Sequence, residues 1–144
     1  MKASLRMATQ GDLVIAGTGE NVEDICKAVA WLGSEDVAVH DDCYIFHHTL
    51  NPKYASYLFT TSGFHSQKIK YAAGGKMTRV SGENLAKIIV PVPSIEEQER
   101  IVSILDRFDA LTTDISNGLP AEIAARQKQY EYYRDKLLAF KDLM

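Results

Sequence analysis

The chain has 144 residues, 46% of them hydrophobic and 24% charged; it is long enough for one globular domain with an appendage and too apolar for a disordered one. Its net charge of −3 spreads no basic field over the molecule, so any nucleic-acid-binding face has to be local. Cys26 and Cys43 stand in no CxxC or Cys/His spacing, and neither a signal peptide nor an apolar run of transmembrane length is present. The expectation is a reduced, cytoplasmic protein with no membrane association.

From the amino terminus the signals are short strands and turns. Asp12–Ala16 (DLVIA) reads as a buried strand between Gly11 and a Gly17-Thr18-Gly19 turn, and Lys27–Trp31 (KAVAW) as a second. Val37–His40 and Cys43–Phe46 are two more, separated by Asp41-Asp42. Asn51-Pro52 opens a helix in which Tyr54, Tyr57, Leu58 and Thr61 share one face ahead of Gly63. Ile69 and Tyr71 precede a Gly74-Gly75 turn, and Ile88–Val90 make a last strand that leaves through Pro91-Val92-Pro93. A proline cannot donate to a ladder, so this strand belongs at an edge or an exit.

At Ser94 the period changes from two to between three and four. Ser94 followed by Glu97 predicts a capping box, with Glu96, Glu97 and Glu99 where the helix dipole favours negative charge. Ile101, Ile104, Leu105, Phe108, Leu111 and Ile115 form one apolar stripe that Asn117-Gly118 ends, and Pro120 opens a second helix. There Ile123, Tyr130 and Leu137 recur every seven residues, with Arg126, Tyr133 and Phe140 at the second seam position. Two helices of about 20 residues span roughly 30 Å each, as an antiparallel hairpin or a bent single rod. Helices of this length need a packing surface, which makes Ile101, Leu105, Phe108, Ile123, Tyr130, Tyr133 and Leu137 candidates for a partner or dimer interface. The predicted architecture is α+β: a small mixed β/α domain over residues 1–93, then a long two-helix, coiled-coil-like region over 94–144. The first part has nine cationic and nine anionic side chains, the second seven and ten, so the helical part suits a protein partner better than DNA.

Motifs for catalysis fail on inspection. The Gly17-Thr18-Gly19 sequence lacks the third glycine of a dinucleotide loop, since Val22 stands there, and Gly75-Lys76 lacks the other residues of a phosphate loop. His40, His47, His48 and His65 have no zinc spacing. Asp41 and Asp42, adjacent at a turn, face water more readily than each other. No nucleophile and base can be assembled, and the expectation is a chain without a catalytic or metal site.

The most suggestive polar set is Gln67, Lys68, Lys70, Lys76, Thr78 and Arg79. It is interleaved with Tyr71 and a Gly-Gly turn, with no acidic residue between His65 and Ser81. Lysines of this kind hold phosphates, while Arg, Gln and Thr read base edges. An ordinary solvated loop has the same composition.

The runs GDLVIAGTG, DDCYIFHHTLNPKYASYLF and AAGGKMTRVSGENLAKIIVPVPSIEEQERIVSILDRFDAL resemble type I restriction-modification DNA specificity subunits. The matching region there is the later part of a target-recognition domain with its adjoining helix. The most specific element is the strand, the Pro-x-Pro exit and the helix opening Glu97-Gln98-Glu99-Arg100-Ile101-Val102. The resemblance implies a non-catalytic subunit that directs an adenine methyltransferase, and a translocating restriction subunit, to a DNA sequence. In it the strand-to-helix switch joins a DNA-reading domain to a helical spacer that docks the methyltransferase. Thr18 joins the DNA-binding candidates through the Gly17–Gly19 turn, beside the Gly74–Arg79 loop. S-adenosylmethionine and ATP belong to the partner subunits, and this chain takes no cofactor. Such subunits usually carry two recognition domains, and here only residues 1–10 precede the GDLVIAG strand. The chain is therefore expected to be a truncated half-subunit that pairs as a homodimer through its helices. A scaffold that docks methyltransferases without reading DNA is the alternative. A small-molecule enzyme would need a polar pocket around His40, Asp42 or His65.

Overall fold

The computed structural model describes residues 5–74, 77–114 and 120–139. The chain forms two compact units, Met1–Val90 and Pro91–Met144. The first contains β1 (Arg6–Ala8), β2 (Leu13–Ala16), β3 (Thr18–Gly19), β4 (Ala28–Ala30), β5 (Val37–Val39), β6 (Cys43–Phe46), α1 (Pro52–Leu58), α2 (Ser62–Tyr71), β7 (Thr78–Arg79) and α3 (Gly82–Leu85). The second contains α4 (Ile95–Asp114) and α5 (Pro120–Leu137). The α+β class expected from sequence is the class observed.

The run LVIA becomes a central strand because its alternation matches the pleat: Leu13 and Ile15 are buried, Val14 and Ala16 half-buried. β2 pairs antiparallel with β4 on one side (Val14 opposite Val29) and with β6 on the other (Val14 opposite Ile45). β1 pairs with β5 and β3 with β7, both antiparallel. Leu13 and Ile15 meet Ile25, Cys26, Ala55, Phe64 and Val80 in one core. Gly17 lets the strands close up, since a Cβ there would lie 2.8 Å from the Asp42 carbonyl oxygen and 2.8 Å from the Tyr44 ring. A bulge opens β4: the Cys26 amide donates to the Ala16 carbonyl at 2.7 Å, and the Ala16 amide to the Lys27 carbonyl at 2.9 Å. Cys26 takes φ 61°, the left-handed position a glycine normally fills in such a bulge.

Three local expectations change. The cationic stretch after Gly63, for which the sequence leaves a nucleic-acid-contacting segment and a solvated loop both open, is through Tyr71 the helix α2, capped by Thr61, whose side chain accepts from the Phe64 amide at 3.2 Å. Phe64 and Lys68, four residues apart, form its buried face; a lysine on that face hid the helical period. Ile88–Val90 is no strand. Its alternation is real, with Ile88 and Val90 against the core and Ile89 80% exposed, but the Ile88 amide donates back to the Leu85 carbonyl at 3.2 Å and the Ile89 backbone bonds to a side chain. The capping box is half formed: Ser94 Oγ accepts from the Glu97 amide at 3.3 Å, while the Glu97 carboxylate pairs with Arg100. That pairing holds Glu97 below its ordinary pKa and keeps it from reaching back to the cap.

In the second unit the Phe108 ring lies 6.4 Å from Tyr130, edge-on, and 5.9 Å from Tyr133, stacked. A continuous rod would hold residues 108 and 130 about 30 Å apart, so α4 and α5 form a hairpin. Ile101 and Leu105 are fully buried; Phe108, Ile123, Tyr130 and Leu137 are half-buried, and Leu138 is buried beside them in sequence. The second seam is weaker than its spacing suggests: Arg126 is exposed and Tyr133 is 39% exposed. Arg134, half-buried, places its guanidinium 5.8 Å from the Tyr130 ring centre. Ile115, Asn117-Gly118 and Phe140 lie outside the described residues. Phe108→Ala removes both ring contacts and is expected to cost about 2 kcal/mol, less than for a fully buried ring. Urea unfolding followed by helical circular dichroism checks this, and an unchanged midpoint would refute the packing.

Candidate nucleic-acid interface

Two stretches singled out in the sequence, the Gly17–Gly19 turn and the Gly74–Arg79 loop, are hydrogen-bonded neighbours. Thr18 stands opposite Arg79 and Gly19 opposite Thr78. On its other side Arg79 exchanges both backbone bonds with Ala73, at 2.8 and 2.9 Å. β7 is thus the middle of a small ribbon whose outer member is the chain leaving α2. Gly74 makes that return possible at φ 139°, where a Cβ would lie 2.1 Å from the Met77 carbonyl oxygen. The ribbon is anchored from beneath: the Val80 amide donates to the Gly17 carbonyl at 3.2 Å and the Tyr44 hydroxyl to the Val80 carbonyl at 2.7 Å.

On this frame Arg79 is exposed and Thr18 and Thr78 half-buried, with Met77 44% exposed beside them. Lys70 is exposed in the last turn of α2, three residues before the ribbon begins. Its charge also suits the negative end of that helix. Lys76 lies outside the described residues.

The other two members of the set are placed elsewhere. Lys68 is buried, with its Nζ donating to the Ile25 carbonyl at 3.1 Å beside the bulge. Burial lowers its pKa, opposed by the neighbouring Cys26, Glu23 and Asp24, and it presents no ammonium to a phosphate. Gln67 spends both ends of its amide on Ile89: Oε1 accepts from the Ile89 amide at 2.9 Å and Nε2 donates to its carbonyl at 2.8 Å. Charge and spacing singled out these residues; the helical phase of α2 decides which of them face outward.

A second polar cluster escaped the sequence reading. Asp12, buried at the start of β2, bonds His47 Nδ1 at 2.7 Å and the Thr9 amide at 2.8 Å. Burial raises its pKa, but the Thr9 and His47 hydrogen bonds prevail and hold it below 3.8. Burial lowers His48 below 6.5. His40 and Asp42 meet at 3.5 Å on an exposed turn, a solvated pair without a nucleophile. Among the described residues no group of three or more His, Cys, Asp and Glu could hold a metal ion, and no helix is long and apolar enough to cross a membrane.

The first unit is thus an α+β unit edged by a small ribbon, and the second a helical hairpin. The chain belongs to the type I restriction modification DNA specificity domain family, whose model matches residues 23–125. It is similar to the EcoR124I/EcoR124II type I restriction enzyme specificity subunit of Escherichia coli, 44% identical over 94 residues covering 65% of this chain and 23% of that protein. It is also similar to the EcoprrI specificity subunit of Escherichia coli, 43% identical over 70 residues, covering 44% and 18%. The MpnII specificity subunit of Mycoplasma pneumoniae is 41% identical over 59 residues, covering 41% and 18%. The matched stretches thus span less than a quarter of each of these relatives.

The placement of Lys68, His48 and Asp12 sets what each contributes to stability. Lys68→Ala leaves the Ile25 carbonyl without its donor and is expected to cost about 1–3 kcal/mol. It is read as a fall in the urea midpoint; a stable variant with weakened DNA binding would contradict this. With pH, the unfolded chain takes up the His48 proton first, so stability falls as pH drops below about 6.5 and levels off at the lowered folded value. The Asp12 contribution is present above pH 3.8 and is lost as pH falls from there through its lowered folded value. Asp12→Asn should therefore remove the second acid step in a series of urea midpoints and deepen the first, because the Asp12 charge partly offsets the burial that lowers His48.

Proposed function

We propose that this chain forms part of the DNA-specificity component of a type I restriction-modification assembly, reading DNA with its first unit and holding methyltransferase subunits with its helices. The observation that carries the reading is the ribbon, which sets Thr18 directly opposite Arg79, with Lys70 three residues ahead of its outer member at Ala73. Lys70 and Arg79 supply phosphate grips, and Arg79 with Thr18, its cross-strand partner on the same face, supplies groups able to reach base edges, while Thr78 points to the other face of the ribbon. Lys76, in the same loop, is a further candidate.

On the protein side, Ile101 and Leu105 are already buried within the chain and Phe108 is occupied by Tyr130 and Tyr133. Docking therefore falls to the outer parts of Tyr133, Tyr132 and Leu111, which are 39%, 60% and 53% exposed, with the half-buried Ile123, Tyr130 and Leu137 as further candidates. Two copies joined through this hairpin would present two recognition units in two-fold symmetry. S-adenosylmethionine and ATP chemistry, with methyl transfer and any restriction activity, belongs to the partner subunits; this chain contributes binding and placement in the cytoplasm.

A second reading is favoured by one finding. With Lys68 buried and Gln67 committed to Ile89, the cationic set offers two exposed charges among the described residues, Lys70 and Arg79. A docking scaffold with little DNA affinity would look the same. The test is DNA affinity of the chain assembled with its methyltransferase, measured against salt. Lys70→Ala and Arg79→Ala are each expected to lower the slope of log K on log salt by about 1. A slope of zero for the unaltered assembly would leave the scaffold.

A further inference from the structure

The segment Ile88–Val90 behaves as a strand without a strand partner. Ile88 and Val90 turn toward the core and Ile89 turns out, as in a pleated chain. The Ile89 amide and carbonyl, which point the same way from an extended residue, would need a neighbouring strand, and among the described residues no strand pairs with it. Gln67 fills the place. Its amide group presents one acceptor and one donor side by side, at 2.9 and 2.8 Å from the Ile89 nitrogen and oxygen, the two bonds a β partner would supply. The same Nε2 also lies 3.3 Å from the Gly63 carbonyl one turn back in α2, which aims the amide outward along the helix.

The position of this bond pair gives it a purpose. Ile89 is the penultimate residue of the first unit, and Pro91 and Pro93 just beyond it have no amide hydrogen with which to make a ladder. We propose that Gln67 is a positioning residue, a side-chain clasp that holds the end of the first unit in place and fixes the point from which the chain leaves toward α4. Asparagine is too short to reach, and glutamate keeps the acceptor but loses the donor, so glutamine is the residue this geometry selects. The clasp rests on hydrogen bonding within the first unit alone. Its test involves no DNA, so it stands or falls separately from the DNA-reading proposal.

Two measurements on the full chain test it. In the unaltered protein the Ile89 amide is expected to exchange with solvent at least tenfold more slowly than in an open peptide, although its side chain is exposed. Gln67→Met, similar in length and without hydrogen-bonding groups, is expected to abolish that protection. It should also raise native-state cleavage by thermolysin at Ile88–Val90 about tenfold, with the urea midpoint nearly unchanged. Gln67→Glu, which retains the acceptor, should fall between the two. An Ile89 amide that exchanges at the open-chain rate in the unaltered protein would overturn the proposal. So would cleavage of both folded variants at the unaltered rate.

Discussion

The antiparallel pairing of Thr18 with Arg79 is the constraint on which the candidate site depends. It joins the end of the first hairpin region to a segment some sixty residues later, and the loop entropy of that closure has to be met by the core around it. The core provides this through Val80, buried directly after the ribbon, and through Tyr44, whose hydroxyl holds the Val80 carbonyl. Gly17 admits both the Tyr44 ring and the Asp42 backbone at distances no side chain allows. A surface of a few polar residues is thereby mounted on a rigid base, as recognition requires if side chains are to meet a duplex in fixed register.

The same economy appears where the first unit ends. A side chain closes the last extended segment, a lysine satisfies the carbonyl beside the β4 bulge, and a carboxylate inside the sheet is held by an imidazole and an amide. Each device lets a small unit with short strands satisfy backbone or polar groups that a larger sheet would pair internally. Each also withdraws a polar residue from the surface, and for that reason residues 67–79 offer fewer outward polar groups than their composition suggests.

Much of this was legible in the sequence. The LVIA, CYIF and VAV strands, the Asn51-Pro52 helix start and the change of period at Ser94 follow from alternation, capping and proline chemistry, and all of them are present. β1 and the pairing of β3 with β7 were not legible, because strands of two or three residues have no period to read and their partners are fixed by tertiary closure. The helix α2 was hidden by Lys68 on its inner face, and the bonding of Gln67 to Ile89 by its distance in the chain. Hydrogen bonds from a side chain to remote backbone leave no local signature, so the alternation at Ile88–Val90 predicts a strand, of which the structure keeps the alternation and not the pairing. The hairpin was one of two open alternatives, and the meeting of Phe108 with Tyr130 decides it.

The central claim is that DNA meets the first unit at the ribbon formed by residues 73, 78–79 and 18–19. The most direct measurement is site-specific photocrosslinking to duplex DNA in the assembly with methyltransferase, with a benzoylphenylalanine placed at Met77 or, for comparison, at Val29. Both positions are exposed, Met77 next to the ribbon and Val29 on β4. The account predicts crosslinks from position 77 that fade with salt and none from position 29. Crosslinks from position 29 alone, or equal yields from both, would contradict it.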